Sequence, residues 1–224
     1  ERAAESPGTT FFYEDALKRY HAGDYRAAEI QLKNALQQNP RNLPARILLG
    51  RTLNKLRLGE EAEHQLRLAR GAGADDSQIL GPLGEAYLAQ GKATTLLRDF
   101  PAGNRLPAVE AEVRVLRGRA MLELNQIFDA EEQFLSALRI RPDFVKGLIG
   151  LASHRMSTGR MEDAEKLIDR AMAQEPDNES TWHMKGKIRL SLSDWRGALE
   201  HFDRTLSIEP GNTLARVDRA SVYL

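Results

Sequence analysis

The chain has no cysteine, which excludes disulfides, thiolate metal sites and cysteine nucleophiles and fits either a reducing or an oxidising compartment. It has no net charge: 32 basic residues balance 32 acidic ones, so no global field draws it to nucleic acid, and none is expected as a partner. Aromatics make up only 6% of the residues. No apolar run approaches the ~20 residues of a membrane span, and the opening stretch Glu1 to Thr10 is polar where a signal sequence would be apolar. Glu1 is not an initiator methionine, so the chain is expected to be a processed or trimmed product.

What the chain does have is a period. Pro40, Pro142, Pro176 and Pro210 fall on one 34-residue grid, which also passes through Ala74 and through Ala108 beside Pro107. A second column holds only small residues: Ala16, Gly50, Gly84, Gly118, Ala152, Gly186 and Ala220. A third reads Ala28, Ala62, Leu96, Ala130, Ala164 and Ala198. A fixed period with small residues at matching points means one supersecondary unit stacked repeatedly, an all-α solenoid. The grid places repeats at 9–42, 43–76, 77–110, 111–144, 145–178 and 179–212, with a partial seventh at 213–224.

Each repeat reads as two helices. In the fifth, Leu148, Leu151, Ala152 and Met156 form one apolar stripe, Gly159 breaks the chain, and Met161, Ala164, Leu167, Ile168 and Ala171 form the next. Ala or Gly on facing surfaces lets two helices approach closely. The grid proline cannot continue the second helix, and Asn42, Asp76, Asn178 and Asn212 are expected to cap the helix that follows. The third repeat departs from the rule: Leu96 replaces the small residue, and Pro101, Gly103 and Pro107 predict a shortened helix followed by a loop, with a wider local crossing. Thr213 to Leu224 supply only a first helix ending in Val222, Tyr223 and Leu224, and the parent chain is expected to continue with further repeats.

Catalytic constellations are missing. The histidines His21, His64, His154, His183 and His201 show no i,i+4 pair for a metal. Gly91-Lys92-Ala93-Thr94 is weakly similar to a phosphate loop but lacks the upstream glycine and the Ser or Thr after the lysine, so it reads as a turn. Glu60-Glu61 and Glu131-Glu132 are helix neighbours pointing ~100° apart, which do not converge. Phe11, Phe12, Tyr13, Tyr20 and Tyr25 either fill the first hairpin or form a stacking platform for sugar or peptide. No enzyme, cofactor or metal is expected.

The pattern resembles the tetratricopeptide repeat, with small residues at the eighth, twentieth and twenty-seventh positions and proline at the thirty-second; the twenty-seventh column here is Ala35, Ala69, Gly103, Ala137, Ala171 and Thr205. Large apolar places hold Leu32, Leu66, Phe100, Phe134, Ile168 and Phe202, with Trp182 at the fourth position of the sixth repeat. The resemblance covers nearly the whole chain and implies a right-handed superhelical solenoid whose first helices line a concave face. It implies that Tyr13, Tyr20, Arg51, Asn54, Lys55, Glu85, Arg119, Glu123, His183 and Lys187 point into that groove and hold a protein or peptide. The pairs Tyr13 with Leu17, Ile47 with Arg51, and Ile149 with Ser153 do not match the lysine and asparagine of the chaperone-tail clamp known in this family.

Tyr13 to Tyr25, Ile30 to Pro40, Ala45 to Gly50 and Tyr87 to Lys92 are more particular. They look like the N-terminal part of the PEP-CTERM-system tetratricopeptide lipoproteins, bacterial proteins associated with exosortase and exopolysaccharide loci. That resemblance implies export, lipidation at a cysteine upstream of Glu1, a flexible tether over residues 1–8 and a periplasmic, outer-membrane-anchored scaffold. Two competing expectations stay open, a polysaccharide-binding module using Tyr13 and Tyr20 and a cytoplasmic adaptor.

Overall fold

A computed structural model describes residues 7–223, and among these there are thirteen α-helices and no strand. They divide into two compact units, one up to Pro101 and one from Ala102. The first holds α1 (Pro7–His21), α2 (Tyr25–Gln38), α3 (Leu43–Lys55), α4 (Gly59–Gly71), α5 (Asp76–Ala89) and α6 (Ala93–Asp99). The second holds α7 (Pro107–Glu123), α8 (Ile127–Ile140), α9 (Val145–Ser157), α10 (Met161–Gln174), α11 (Glu179–Ser191), α12 (Trp195–Ile208) and α13 (Thr213–Ser221). Residues 1–6, which carry most of the expected tether, lie outside the described residues, and α1 is already helical at Pro7.

Within each unit, packing is between neighbours. The first helices of successive repeats touch, α1 with α3, α3 with α5, α7 with α9 and α9 with α11, and each odd helix also packs on the even one that follows it. This is the tetratricopeptide solenoid arrangement, in which each repeat buries its apolar face against the next.

Side-chain caps start six of these helices. Asn42, Asn178 and Asn212 accept from the backbone N–H groups of Ala45, Thr181 and Ala215 at 2.9, 3.1 and 3.0 Å. Asp24 and Asp194 do the same for α2 and α12. At α5 the cap is Asp75, accepting from Ser77 at 2.8 Å, while Asp76, expected in that role, is the first helical residue. The carbonyls of the grid prolines are used as well: Arg46, Trp182 and Arg216, each six residues on, donate to Pro40, Pro176 and Pro210.

The turn inside every full repeat contains one residue with left-handed backbone: Gly23, Arg57, Gly91, Asn125, Gly159 and Ser193, spaced 34 apart. Three of the six are not glycine, with φ of 61°, 58° and 59° at Arg57, Asn125 and Ser193. A side chain in this region costs about 1–2 kcal/mol relative to the right-handed one, so these three turns carry strain that glycine would avoid.

The small column meets the large one. A Cβ on Gly50 would lie 2.5 Å from Leu66 Cγ, and one on Gly186 would lie 2.5 Å from Phe202 Cε1. Phe134 is fully buried against two such glycines, Gly118 on α7 and Gly150 on α9. In the third repeat the second helix is cut to seven residues, as the prolines predict. Tyr87 closes it, its hydroxyl donating to Asp99 Oδ2 at 3.0 Å and its ring lying 5.8 Å from that of Phe100. Burial, reinforced by Asp99, pushes the Tyr87 phenol up to about 12.

Candidate partner-binding surface

The helices α3 and α5 bring four of the expected groove residues together. Arg51, Asn54 and Lys55 lie on one side of α3 and Glu85 lies half-buried on α5. Between them sits Pro82, inside α5, which has no N–H to give to the Gln78 carbonyl. Arg51 Nη2 approaches that carbonyl at 3.5 Å, and Asn54 Nδ2 donates to the Pro82 carbonyl at 2.7 Å. Arg51 and Asn54 therefore bind the neighbouring helix, a use the residue pattern of a single repeat did not reveal. The signal was Pro82 itself, a proline in the middle of an apolar helix. The Asn54 amide oxygen is buried without a partner among the described residues. Lys55 Nζ stands 5.8 Å over the Tyr25 ring.

Tyr13 and Tyr20 are half-buried and pack, with Phe12 and Leu17, against the cluster of Ala16, Leu32, Ala35 and Leu49. Tyr20 and Tyr25 meet edge to face at 5.5 Å. These aromatics fill the first hairpin, and only Phe11 stands largely exposed.

In the second unit Arg119 and Glu123 lie one turn apart on α7. Burial raises the Glu123 carboxyl above the usual range, and the Arg119 charge opposes that rise. On α11, His183 Nε2 lies 2.7 Å from Asp218 Oδ2 of α13, with its ring 5.7 Å from that of Phe202. Lys187, one turn further along α11, is exposed.

The residues weighed for chemistry have other partners. Glu131 pairs with Arg155 and Glu132 with Arg139, so the adjacent carboxylates diverge. Gly91 occupies a left-handed turn, and Lys92 donates to Glu63 at 2.7 Å. That carboxyl also accepts from Gln90 and Arg67; burial alone would raise its proton affinity, but these donors hold it below the ordinary range. Among the described residues no three His, Asp or Glu side chains converge to hold a metal ion.

The tetratricopeptide repeat family pattern matches residues 19–81 and 122–188. Anaphase-promoting complex subunit 7 of Arabidopsis thaliana is 25% identical over 195 residues, covering 86% of this chain and 34% of that protein. Cellulose synthase operon protein C of Xanthomonas axonopodis pv. citri is 25% identical over 190 residues, 81% of this chain and 12% of that protein. The chain thus spans about a third or less of the length of these relatives. A thermophilic tetratricopeptide protein of Thermus thermophilus superposes with a TM-score of 0.54 at 22% identity, covering 96% of this chain and 98% of that one. Proteins of this fold generally act as scaffolds that bind other proteins. With the family pattern matched over more than half its length and two-helix repeats packed neighbour on neighbour, the chain belongs to the tetratricopeptide repeat family.

Proposed function

We propose that this chain is a non-enzymatic scaffold that holds an extended protein segment along the first-helix faces of its units. The observation that carries the reading is the side-by-side contact of consecutive first helices within each unit, which sets polar side chains on a preformed face: Glu85 in the first unit, and Arg119, Glu123 and Lys187 in the second. Preformed contacts lose little ordering entropy on binding, so many modest interactions can add up. Because Arg51 and Asn54 already bind α5, the groove reading rests more on the second unit.

We further propose a bacterial envelope setting, with a lipid anchor upstream and a partner from an exopolysaccharide or PEP-CTERM protein-sorting system. Two things support it: the resemblance of Tyr13 to Tyr25 and Ile30 to Pro40 to that lipoprotein family, and the likeness to cellulose synthase operon protein C. Direct polysaccharide binding through Tyr13 and Tyr20 fits less well, because both rings are spent on the first core cluster.

The groove is tested by cross-linking a partner from envelope extract to the wild-type chain and to the combined Arg119→Ala, Glu123→Gln and Lys187→Ala variant. Loss of the partner is expected, and equal capture would exclude these faces. Fractionation of cells making the natural gene product tests the setting separately: recovery with outer membrane supports it, and recovery in the cytosol contradicts it.

A further inference from the structure

The turn between α2 and α3 departs from a pattern kept in the second unit. There Asp143, before α9, accepts from Arg170 of α10 at 3.3 Å, and Asp177, before α11, accepts from Arg204 of α12 at 2.7 Å. Each pair spans 27 residues and clamps the turn between two repeats to the second helix of the later one. The 34-residue period puts Arg41 where those aspartates stand and Leu68 where those arginines stand. Arg41 is the one basic residue of its column, which otherwise reads Asp75, Val109, Asp143, Asp177 and Gly211. At this seam of the first unit the turn charge is reversed and its partner is replaced by an apolar side chain.

A hollow of about 350 Å³ lies where the clamp is missing, lined by Pro40, Arg41, Leu43, Arg46, Leu68 and Ala72. Leu68 is 44% exposed, so apolar surface there stays in contact with water. Arg46 donates to Gln65 Oε1 at 2.9 Å and to the Pro40 carbonyl, both neutral acceptors. Among the described residues neither Arg41 nor Arg46 forms an ion pair, and no carboxylate lines the hollow. The neighbouring hollow on α4, which shares Leu68, differs: its Arg67 and Lys92 are both matched by Glu63. The unmatched positive charge lies on the Arg41 and Arg46 side of Leu68.

We propose that this hollow is a second binding site, which takes a peptide segment carrying an apolar side chain next to a carboxylate side chain. The apolar group covers Leu43, Leu68 and Ala72 and removes their surface from water, while the carboxylate meets Arg41, with the Arg46 charge beside it. Planar guanidinium forks suit carboxylate oxygens, and the ligand supplies here the acid that Asp143 and Asp177 supply from the chain itself. Both groups act together, because an exposed ion pair by itself is worth little. The six lining residues lie outside the groove columns, so the site is independent of the groove reading.

The probe is a short, terminally blocked peptide with leucine followed by glutamate in a frame of glycine and serine, titrated at low salt into the isotope-labelled wild-type chain and followed by amide NMR shifts. Saturable shifts are expected at Arg41, Leu43 and Ala72. Peptides with glutamine for the glutamate, or alanine for the leucine, should bind about tenfold more weakly. The combined Arg41→Asp and Leu68→Arg variant installs the clamp of the later repeats and should lose binding by at least the same factor while staying folded. If circular dichroism shows it unfolded, Arg41→Gln alone, at an exposed side chain, carries the same test. No saturable binding to the wild-type chain, equal binding of the glutamine peptide, or unaltered affinity in the folded variant would overturn the assignment. Shifts centred on Lys55 and Glu85 would do so too, by moving the peptide to the first-helix groove.

Discussion

Asn54 of α3 donates to the carbonyl of Pro82 in α5 at 2.7 Å, so a side chain expected to face a ligand instead ties one repeat to the next. Its neighbour Arg51 approaches the Gln78 carbonyl that the proline leaves without its helical donor. Removing the Asn54 amide should cost about 1 kcal/mol, the ordinary worth of a hydrogen bond. Urea melts of Asn54→Ala should show that loss with an unchanged slope. No change in midpoint would mean the contact adds nothing to the stack.

Phe134 depends on missing side chains. A Cβ on Gly118 would lie 2.7 Å from Phe134 Cε1, so Gly118→Ala should destabilise by about 1–3 kcal/mol through overpacking. The chain also shows the remedy, since Ala152 faces the smaller Ile168 and Ala16 the smaller Leu32 in their own repeats. Phe134→Ile should therefore recover part of the loss in the Gly118→Ala background while costing stability by itself. Additive losses in thermal melts of the double variant would contradict this size matching.

Arg57 sits in a left-handed turn at φ 61° where the equivalent positions in other repeats hold Gly23, Gly91 and Gly159. Arg57→Gly should stabilise the first unit by roughly 0.5–1 kcal/mol, and Ser193→Gly should do the same for the second, because relief of strain exceeds the extra freedom given to the unfolded chain. Denaturant midpoints moving down would contradict it.

His154 on α9 is 2% exposed. Burial lowers its proton affinity, with Glu131 and a hydrogen bond with the Ile127 backbone opposing and Arg155 and Arg160 adding to the lowering. The unfolded chain, with its histidine near the ordinary value of about 6.5, then binds the proton more readily. The His154 contribution is thus unfavourable on acidification: stability falls as pH drops below about 6.5, until the folded form is protonated too. His154→Ile, copying Ile188 at the same place one repeat later, should reduce the loss in melting temperature between neutral and mildly acidic pH. Identical pH profiles would show that this ring is not responsible.

Much of the fold was legible because the period, the small columns and the prolines encode contacts between residues close in sequence. The shortened α6 followed from Pro101 and Pro107 in the same way. The left-handed turns were not apparent as a column, because Arg57, Asn125 and Ser193 disguise a position that glycine would have marked. The Asp75 cap was displaced by one residue because two aspartates adjoin. The site was harder still. Whether Arg51 and Asn54 face a groove or a neighbouring helix depends on how two helices 28 residues apart are aligned, and no motif within one repeat records that. The pairing of Arg105 and Arg114 with Glu110 was hidden for a related reason: it forms only when the loop carrying Arg105 folds back on α7.

The central claim is that, within each unit, first helices of consecutive repeats lie side by side, one period apart. Glu112 on α7 and Lys146 on α9 are separated by 34 residues, and their charged groups meet at 2.6 Å. A zero-length carbodiimide reaction joins only a carboxylate and an amine already in contact, and peptide mass spectrometry locates the bond. The account predicts a Glu112–Lys146 isopeptide in the folded chain that disappears in denaturant. Cross-links that avoid this pair in the native protein, or that join these residues only to partners at other spacings, would contradict it.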